Sequence, residues 1–194
     1  MDLSAEQKRV LMDVARQTIR QTLGRRMPPM QIPDDPGLRQ PAGCFVTLHT
    51  LHTHRLRGCV GRLDTQQPLI EVVQQSAESA LQDPRFMSYP VCLHELPELE
   101  LEITVIFPLR PADSPLDFEL SEGLYLTCNS RSGCFLPQVA QETGWNREQL
   151  LERLCTEKLG VSADAWKDPS ARLMKFSTLI IGPEPFENAH PLSR

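Results

Sequence analysis

The hydrophobic pattern of this chain changes period several times, and the order of these changes constrains the fold more than any other feature. Residues 4–24 carry apolar side chains at helical spacing, with Ser4 and Gln7 placed as a capping box and Gly24 at the end. From Gly43 onward the spacing becomes that of strands. Helix and strand patterns then follow one another without the βαβ rhythm of a parallel sheet. The sequence therefore predicts an α+β fold, with a mixed or antiparallel sheet and flanking helices.

Length and composition indicate an ordinary globular protein that buries its own core. The chain has 194 residues, of which 40% are hydrophobic and 23% are charged. These values suit one domain or a tight pair of subdomains. We expect residues 1–194 to form a single domain that contains a proline-rich arm or linker at 25–42.

The charge and the cysteines argue against several classes of function. The net charge of -5 disfavours nucleic acid as a partner, because that binding depends on clustered Lys and Arg. No apolar run is long enough to span a bilayer, and no secretory signal opens the chain. The six cysteines form no C-x-x-C pair, which favours free thiols in a reducing compartment. We therefore expect a cytoplasmic protein without a membrane partner.

The segment LRGCVG, residues 56–61, places a thiol between two glycines in a predicted hairpin strand. Glycine weakens a strand, so its presence indicates either a bend or a close approach to the main chain. The predicted register sets Val46 opposite Cys59, which puts Cys59 and Arg57 on one face of the hairpin and His49 on the other. A shift of one residue would reverse these faces.

Cys59 is the first candidate for chemistry. A thiol reacts as the thiolate, and a cation such as Arg57 on the same strand face lowers the pKa of the thiol. Gly58 and Gly61 would leave main-chain amides open to an anionic ligand. The alternative is that Cys59 is a small core residue, as cysteines in strands usually are.

Three further polar residues are candidates for substrate binding. Arg85 can clamp a carboxylate or phosphate, or it can form an ion pair with Asp83 or Glu102 that fixes its loop. Glu102 lies in the middle of a strand and is either solvated or paired with an arginine. Gln138 begins a short helix, where it can bind a ligand or face water.

The histidines do not predict a metal site. His49, His52 and His54 lie at or near a hairpin tip where side chains diverge, and no Cys or carboxylate nearby has matching spacing. His190 lies in a polar tail. We predict no metal ligand, leave any cofactor unspecified and find no histidine partner for Cys59.

Four motifs, in this order, resemble the AMMECR-domain family, also called AmmeMemoRadiSam system protein A. They are LRGCVG at 56–61, DPRF at 83–86, LELEITVI at 99–106 and LPQVAQETGW at 136–145. The resemblance covers about residues 4–187. It implies one α+β unit of two subdomains that form a cleft, with the R-G-C segment near that cleft. It also implies a Memo-like protein and a radical S-adenosylmethionine protein as partners.

The family resemblance carries over to seven site residues and leaves three hypotheses open. The first is an enzyme or substrate-handling subunit for a small polar or anionic ligand, with Cys59 and Arg57 as catalytic residues. The second is a non-catalytic adaptor that docks the two partner proteins. The third is a purely structural bulge, with Cys59 fully buried and Gly61 at positive φ. The site residues that the resemblance supports are Arg57, Gly58, Cys59, Gly61, Arg85, Glu102 and Gln138.

Overall fold

A computed structural model describes residues 2–63 and 66–187, and its architecture is α+β, as the sequence predicts. His190 lies outside the described residues. The helices are α1 (Ala5–Thr22), α2 (Pro36–Arg39), α3 (Leu69–Ala80), α4 (Pro137–Thr143) and α5 (Arg147–Arg153). The strands are β1 (Gly43–Thr50), β2 (Leu56–Arg62), β3 (Leu99–Ile106), β4 (Arg110–Pro111), β5 (Gly123–Cys128), β6 (Arg131–Phe135), β7 (Arg172–Phe176) and β8 (Thr178–Pro185). Short helical segments cover Pro84–Phe86, Leu93–Glu98, Leu154–Leu159 and Ala165–Lys167.

The chain divides into two compact units, each built on one antiparallel four-stranded sheet. The first unit comprises the described parts of 1–106 and 179–194, and the second comprises 107–178. The strand order is β2-β1-β3-β8 in the first sheet and β4-β7-β5-β6 in the second. In the first sheet β2 is therefore an edge strand, which leaves one side of its main chain unpaired by other strands.

The first unit packs helices against one face of its sheet. Ser4 and Gln7 form the predicted capping box at the start of α1. Helix α3 lies on the face of β1 that carries Cys44, whose sulfur donates to the hydroxyl of Ser76 at 3.5 Å. The residues that alternate on this face of β1 and β3 are completely buried: Cys44, Val46, Leu48, Leu101, Ile103 and Val105. The two-residue period of a strand consequently puts the residues between them on the opposite face.

The hairpin of β1 and β2 contains a bulge that makes the predicted register wrong over most of its length. His49 pairs with Leu56 as predicted, but Leu48 pairs with Gly58, so Arg57 is an extra residue without its own partner on β1. Cys59 consequently lies opposite Thr47. Because opposed residues share a face, Cys59 lies on the same face of the sheet as Thr47 and His49. The prediction that His49 points away from the thiol is therefore wrong.

The second unit has its own core and its own helix signals. Asn146 and Gln149 form a capping box at the start of α5, and Gly144 ends α4 with φ of 67°. Its buried cluster contains Phe118, Leu124, Leu126, Phe135, Leu151 and Trp166 among others. Each of these residues lies within one turn of the helix end that it specifies.

Two further sequence predictions concern the arm and the membrane. Within 25–42, the chain has no helix or strand up to Asp35, but α2 then forms a single helical turn that the proline content did not predict. Asp35 caps this turn by accepting a hydrogen bond from the amide of Gly37 at 2.7 Å. None of the helices in the described residues is long and apolar enough to cross a bilayer.

Candidate thiol site

The sulfur of Cys59 lies on the sheet face opposite to the helices and receives a hydrogen bond. The hydroxyl of Thr47 donates to the sulfur at 3.2 Å. Thr47 also pairs with Glu102 on β3, so Cys59, Thr47 and Glu102 form one row across three adjacent strands. Cys59 is partly exposed, whereas Thr47 is buried. A donor beside a reachable sulfur stabilises the negative charge of a thiolate.

The main chain of Cys59 is held by the motif DPRF on the open side of β2. Its amide donates to Oδ2 of Asp83 at 2.9 Å, and its carbonyl accepts from Nη2 of Arg85 at 3.2 Å. Asp83 and Arg85 also bind each other, with Nη2 to Oδ2 at 2.6 Å and Nε to Oδ1 at 3.0 Å. The sequence predicted an amide here that could bind an anion, and in the structure the carboxylate of Asp83 is that anion.

The ion pair between Asp83 and Arg85 sets the charge beside the thiol. The hydrogen bonds from Arg85, together with that from the amide of Cys59, hold the pKa of Asp83 well below its usual range even though burial opposes this. The carboxylate in turn raises the pKa of Arg85, and the charge of a Cys59 thiolate raises it further. The guanidinium of Arg85 is therefore bound both to Asp83 and to the carbonyl of Cys59.

Arg57 has a different partner from the one that the sequence suggested. Its Nε and Nη2 donate to the two carboxylate oxygens of Glu95 at 2.5 and 2.9 Å, and Nη2 also donates to the carbonyl of Tyr89 at 3.0 Å. Glu95 raises the pKa of Arg57, and the nearby thiol that adds to this effect is Cys92. Arg85 and not Arg57 therefore contacts Cys59, through the main-chain carbonyl.

The ring of Phe86 links the two arginines. The guanidinium carbon of Arg57 lies 6.0 Å from the centre of this ring, and that of Arg85 lies 5.6 Å from it. Both distances are within the range of cation–π contacts. We refer to Arg57, Cys59, Arg85 and Phe86 as the thiol–arginine cluster.

Both glycines of the motif have a packing reason to lack a side chain. A Cβ at Gly58 would collide with the main-chain carbonyl of Ala80 at the end of α3. A Cβ at Gly61 would collide with the main chain of β1 at Cys44 and Phe45. Gly61 does not have positive φ, and Cys59 is not fully buried, so both expectations of the purely structural hypothesis are wrong.

The remaining predicted ligand residues lie apart from the two arginines. Glu102 is partly exposed and accepts a hydrogen bond from Thr104 at 3.4 Å, while Arg57 and Arg85 bind other carboxylates. Gln138 belongs to the second unit, where its buried Oε1 has no hydrogen-bond partner among the described residues. A buried acceptor without a partner is unusual and is compatible with a ligand at that position.

The described residues contain no ready metal site, and a hollow in the second unit is unrelated to the predicted site. Across residues 2–63 and 66–187, no group of three or more His, Cys, Asp or Glu side chains is arranged to hold a metal ion. A hollow of about 370 Å³ lies within the second unit, bordered by Trp166, Lys167 and Arg172 among others. None of the residues that line it is a predicted site residue.

The sequence did not identify three residues that contact the thiol or Arg57 in the structure. Thr47 was missed because the bulge at Arg57 shifts the register by one residue. Glu95 lies 38 positions from Arg57 in the chain, and its pairing has no local signal. Phe86 is part of the motif DPRF, but nothing in the sequence indicates that its ring contacts both arginines.

Comparisons with known proteins agree with the motif order described above. The AMMECR1 family profile matches residues 12–181. A protein of Methanothermobacter thermautotrophicus is 36% identical over 188 residues, which are 92% of this chain and 95% of that protein. Protein MJ0810 of Methanocaldococcus jannaschii is 34% identical over 77% of this chain and 74% of its own length.

A solved structure shows the same fold. The crystal structure of the uncharacterized protein PH0010 from Pyrococcus horikoshii superposes with a TM-score of 0.75, at 32% identity over 88% of each chain. Together with the profile match and the relatives above, this similarity shows that the chain belongs to the AMMECR1 family.

Proposed function

We propose that this protein carries out, or presents a substrate for, a reaction on a small polar or anionic molecule, with Cys59 as the nucleophile or proton donor. The observation that carries the proposal is the hydrogen bond from Thr47 to the partly exposed sulfur of Cys59. A hydroxyl that donates to sulfur favours the thiolate, which is the reactive form. The contacts to Asp83 and Arg85 hold the main chain of Cys59 in place.

The exposure of the ion pair beside the thiol favours an anionic ligand. The side chain of Arg85 is 57% exposed, whereas that of its partner Asp83 is 3% exposed. A ligand that approaches Cys59 therefore meets the guanidinium and not the carboxylate that balances it. Arginine is well suited to bind carboxylates and phosphates through its planar set of donors.

The test compares an anionic and a neutral alkylating reagent at each thiol. Native protein is treated with limiting iodoacetate or iodoacetamide at neutral pH, and each cysteine is followed by peptide mass spectrometry. We expect Cys59 to react faster than Cys44, Cys134 and Cys155, because burial raises the pKa of those three thiols, that of Cys44 to about 12. At Cys59 we also expect the ratio of the iodoacetate rate to the iodoacetamide rate to be roughly threefold to fivefold higher in the native protein than in the unfolded chain, because one positive charge is close.

Variants of Arg85 identify the source of the preference. Arg85→Gln should remove the preference for iodoacetate, whereas Arg85→Lys should retain most of it because the charge stays. Arg62→Gln serves as a matched control, since Arg62 is an exposed arginine on the same strand that Val60 and Gly61 separate from Cys59. If Cys59 reacts no faster than the buried thiols, or shows no preference for iodoacetate, the proposal is rejected.

A second candidate function is an adaptor for a Memo-like protein and a radical S-adenosylmethionine protein. The specific observation that favours it is that Met87 and Tyr89 are 62% and 79% exposed, next to the residues that hold Arg57. Large exposed aromatic and apolar side chains beside an arginine are typical of binding hot spots. Both partner proteins are part of the proposal for the enzymatic function as well.

Binding measurements separate the two functions. The purified Memo-like and radical S-adenosylmethionine proteins from the same organism are each titrated with this protein and its variants. An adaptor should lose binding in Tyr89→Ala and keep it in Cys59→Ala. If Tyr89→Ala binds both proteins as tightly as the wild type, the exposed segment is not the docking surface. If neither protein binds the wild type, the adaptor function is excluded.

A further inference from the structure

A second thiol of the first unit contacts an imidazole, and the proposed function does not use it. The sulfur of Cys92 lies 3.4 Å from Nε2 of His94. Cys92 is partly exposed and His94 is exposed. Cys92 is the one thiol in the described part of the chain that has a hydrogen bond to a histidine.

The imidazole is placed to assist reaction of the thiol. The carboxylate of Glu95, three residues after Cys92, is already bound by Arg57. The imidazole of His94 can accept the thiol proton at Nε2 and form a thiolate–imidazolium pair. Reactive cysteines are found in such settings, where the thiol is accessible and positive charge is close.

The other thiols lack this combination. Cys44, Cys128 and Cys155 are buried, and Cys134 has a pKa raised by burial. Cys59 is accessible, but its sulfur contacts the hydroxyl of Thr47, which cannot serve as a base at neutral pH. An imidazole can serve as a base in this range because its charge changes near neutrality.

We propose that Cys92 is a redox modification site, at which a hydroperoxide oxidises the thiol with the help of His94 and a small thiol then forms a mixed disulfide. The inference does not depend on the proposed function of Cys59. The contact between the sulfur of Cys92, which is partly exposed, and Nε2 of His94 is the juxtaposition that carries it.

The chemical steps balance with the two reagents named. His94 takes the thiol proton, and the thiolate sulfur of Cys92 attacks one peroxide oxygen, so that an S–O bond forms and the O–O bond breaks. The sulfur loses two electrons and the peroxide gains them, and the imidazolium returns its proton to the departing oxygen, which leaves as water or an alcohol. The small thiol then attacks the sulfenic sulfur, an S–S bond forms, the S–O bond breaks and water leaves.

The modification would affect the ion pair between Arg57 and Glu95. Cys92 directly precedes the short helical segment Leu93–Glu98, in which the carboxylate of Glu95 holds Arg57. A bulky disulfide adduct on Cys92 would crowd the start of the segment that carries Glu95. The modification would therefore change the environment of the thiol–arginine cluster without touching Cys59 itself.

The test is a peroxide titration of the full chain with a trap for sulfenic acid. Wild-type protein is treated with limiting hydrogen peroxide in the presence of dimedone, and the adduct at each cysteine is measured by peptide mass spectrometry. We expect Cys92 to carry more adduct than the three buried thiols. We expect His94→Ala to lower the adduct at Cys92 by about tenfold, a small part of what general-base assistance can supply. In a parallel sample, glutathione replaces dimedone and should give the mixed disulfide at Cys92.

His52→Ala is the matched control, because His52 is also an exposed histidine but lies in the turn between β1 and β2. It should leave oxidation of Cys92 unchanged. Equal adduct at Cys92 in the wild type and in His94→Ala would overturn the inference, as would a level at Cys92 no higher than at Cys44. Cys59 is measured in the same digest, so the proposals for Cys92 and for Cys59 are tested separately.

Discussion

At the scale of single residues, the sulfur and the main chain of Cys59 are held by two different sets of groups. Thr47 contacts only the sulfur, whereas Asp83 and Arg85 contact the amide and the carbonyl. This separation means that the chemical state of the thiol and the position of its strand can be altered independently. Substitutions of Thr47 address the first, and substitutions of Asp83 address the second.

Thr47→Val tests the role of the hydroxyl at the thiol. Valine keeps the shape of the side chain but cannot donate to sulfur, so we expect Cys59 to react with iodoacetamide severalfold more slowly at neutral pH. The free energy of unfolding should fall by no more than about 1 kcal/mol, because a single neutral hydrogen bond contributes that much or less. Peptide mass spectrometry and urea denaturation provide the two measurements.

Thr104→Val is the control for this experiment, since Thr104 is a buried threonine on the same face of the neighbouring strand β3. Its hydroxyl contacts Glu102 and not the thiol. An unchanged rate at Cys59 in Thr47→Val, or an equal loss in Thr104→Val, would show that the hydroxyl of Thr47 does not activate the sulfur.

At the scale of secondary-structure elements, β2 is positioned by close main-chain contacts with α3 and with its neighbouring strand β1. The end of α3 lies against Gly58, and β1 lies against Gly61. A strand with larger residues at both positions would be pushed away from the helix and from its partner strand. The two glycines therefore set where Cys59 lies relative to Thr47.

Gly58→Ala tests the contact with α3. The added methyl group would meet the main-chain carbonyl of Ala80, which cannot move without displacing the helix end. We expect the free energy of unfolding to fall by about 1–3 kcal/mol, the usual cost of overpacking. Gly37→Ala is the comparison, because the methyl group there would meet the flexible side chain of Gln7 and should cost less. Equal losses in the two variants in urea denaturation would contradict this account.

The elements that the sequence predicts well are those specified by neighbouring residues. The capping boxes at Ser4 and Asn146 and the glycine that ends α4 depend on contacts within a few positions, so their sequence pattern is sufficient. The register of β1 and β2 depends on one bulged residue, Arg57, and no residue type identifies a bulge by itself. The site depended on that register: the sequence left open whether Cys59 is accessible or buried, and it placed Arg57 and not Arg85 beside the thiol.

Long-range pairing explains the other differences. Arg57 could in principle bind any carboxylate of the first unit, and only the folded position of Glu95 selects one. The ion pair of Arg85 with Asp83 is separated by two residues, and the sequence included it as one of two alternatives. The motif order, in contrast, is a property of the whole chain and was enough to predict the family and the fold class.

At the scale of the whole molecule, the Asp83–Arg85 pair makes part of the stability depend on pH. The pKa of Asp83 is lower in the folded protein than in the unfolded chain. The carboxylate therefore contributes its full stabilisation above the unfolded pKa of about 4, and this contribution is lost as the pH falls from there toward the folded pKa. Acidification should consequently loosen the strand that carries Cys59.

Asp83→Asn isolates this contribution. We expect the variant to unfold with a free energy lower than that of the wild type by about 1–3 kcal/mol at pH 7, because a buried charged partner of Arg85 is removed. The difference should shrink as the pH falls below about 4, because the unfolded wild-type chain then takes up a proton at this carboxylate that the folded protein does not. Urea denaturation at a series of pH values measures both effects.

Asp34→Asn serves as the reference for Asp83→Asn. Asp34 also pairs with an arginine, Arg39, at 2.8 Å, but its side chain is 89% exposed. An exposed ion pair contributes about 0–1 kcal/mol, so this variant should change stability little. A difference between wild type and Asp83→Asn that stays constant from pH 7 to pH 3 would disprove the assigned ionisation.

The position of β2 at the border of its sheet has a consequence for self-association. An uncovered border strand offers its amides and carbonyls to a strand from another molecule, and such pairing is a common start of aggregation. In this protein the side chains of Asp83 and Arg85 already occupy the outward amide and carbonyl of Cys59. The motif DPRF thus shields the border strand from intermolecular β-pairing, and its loss would expose a template for fibre growth at the very strand that bears the thiol.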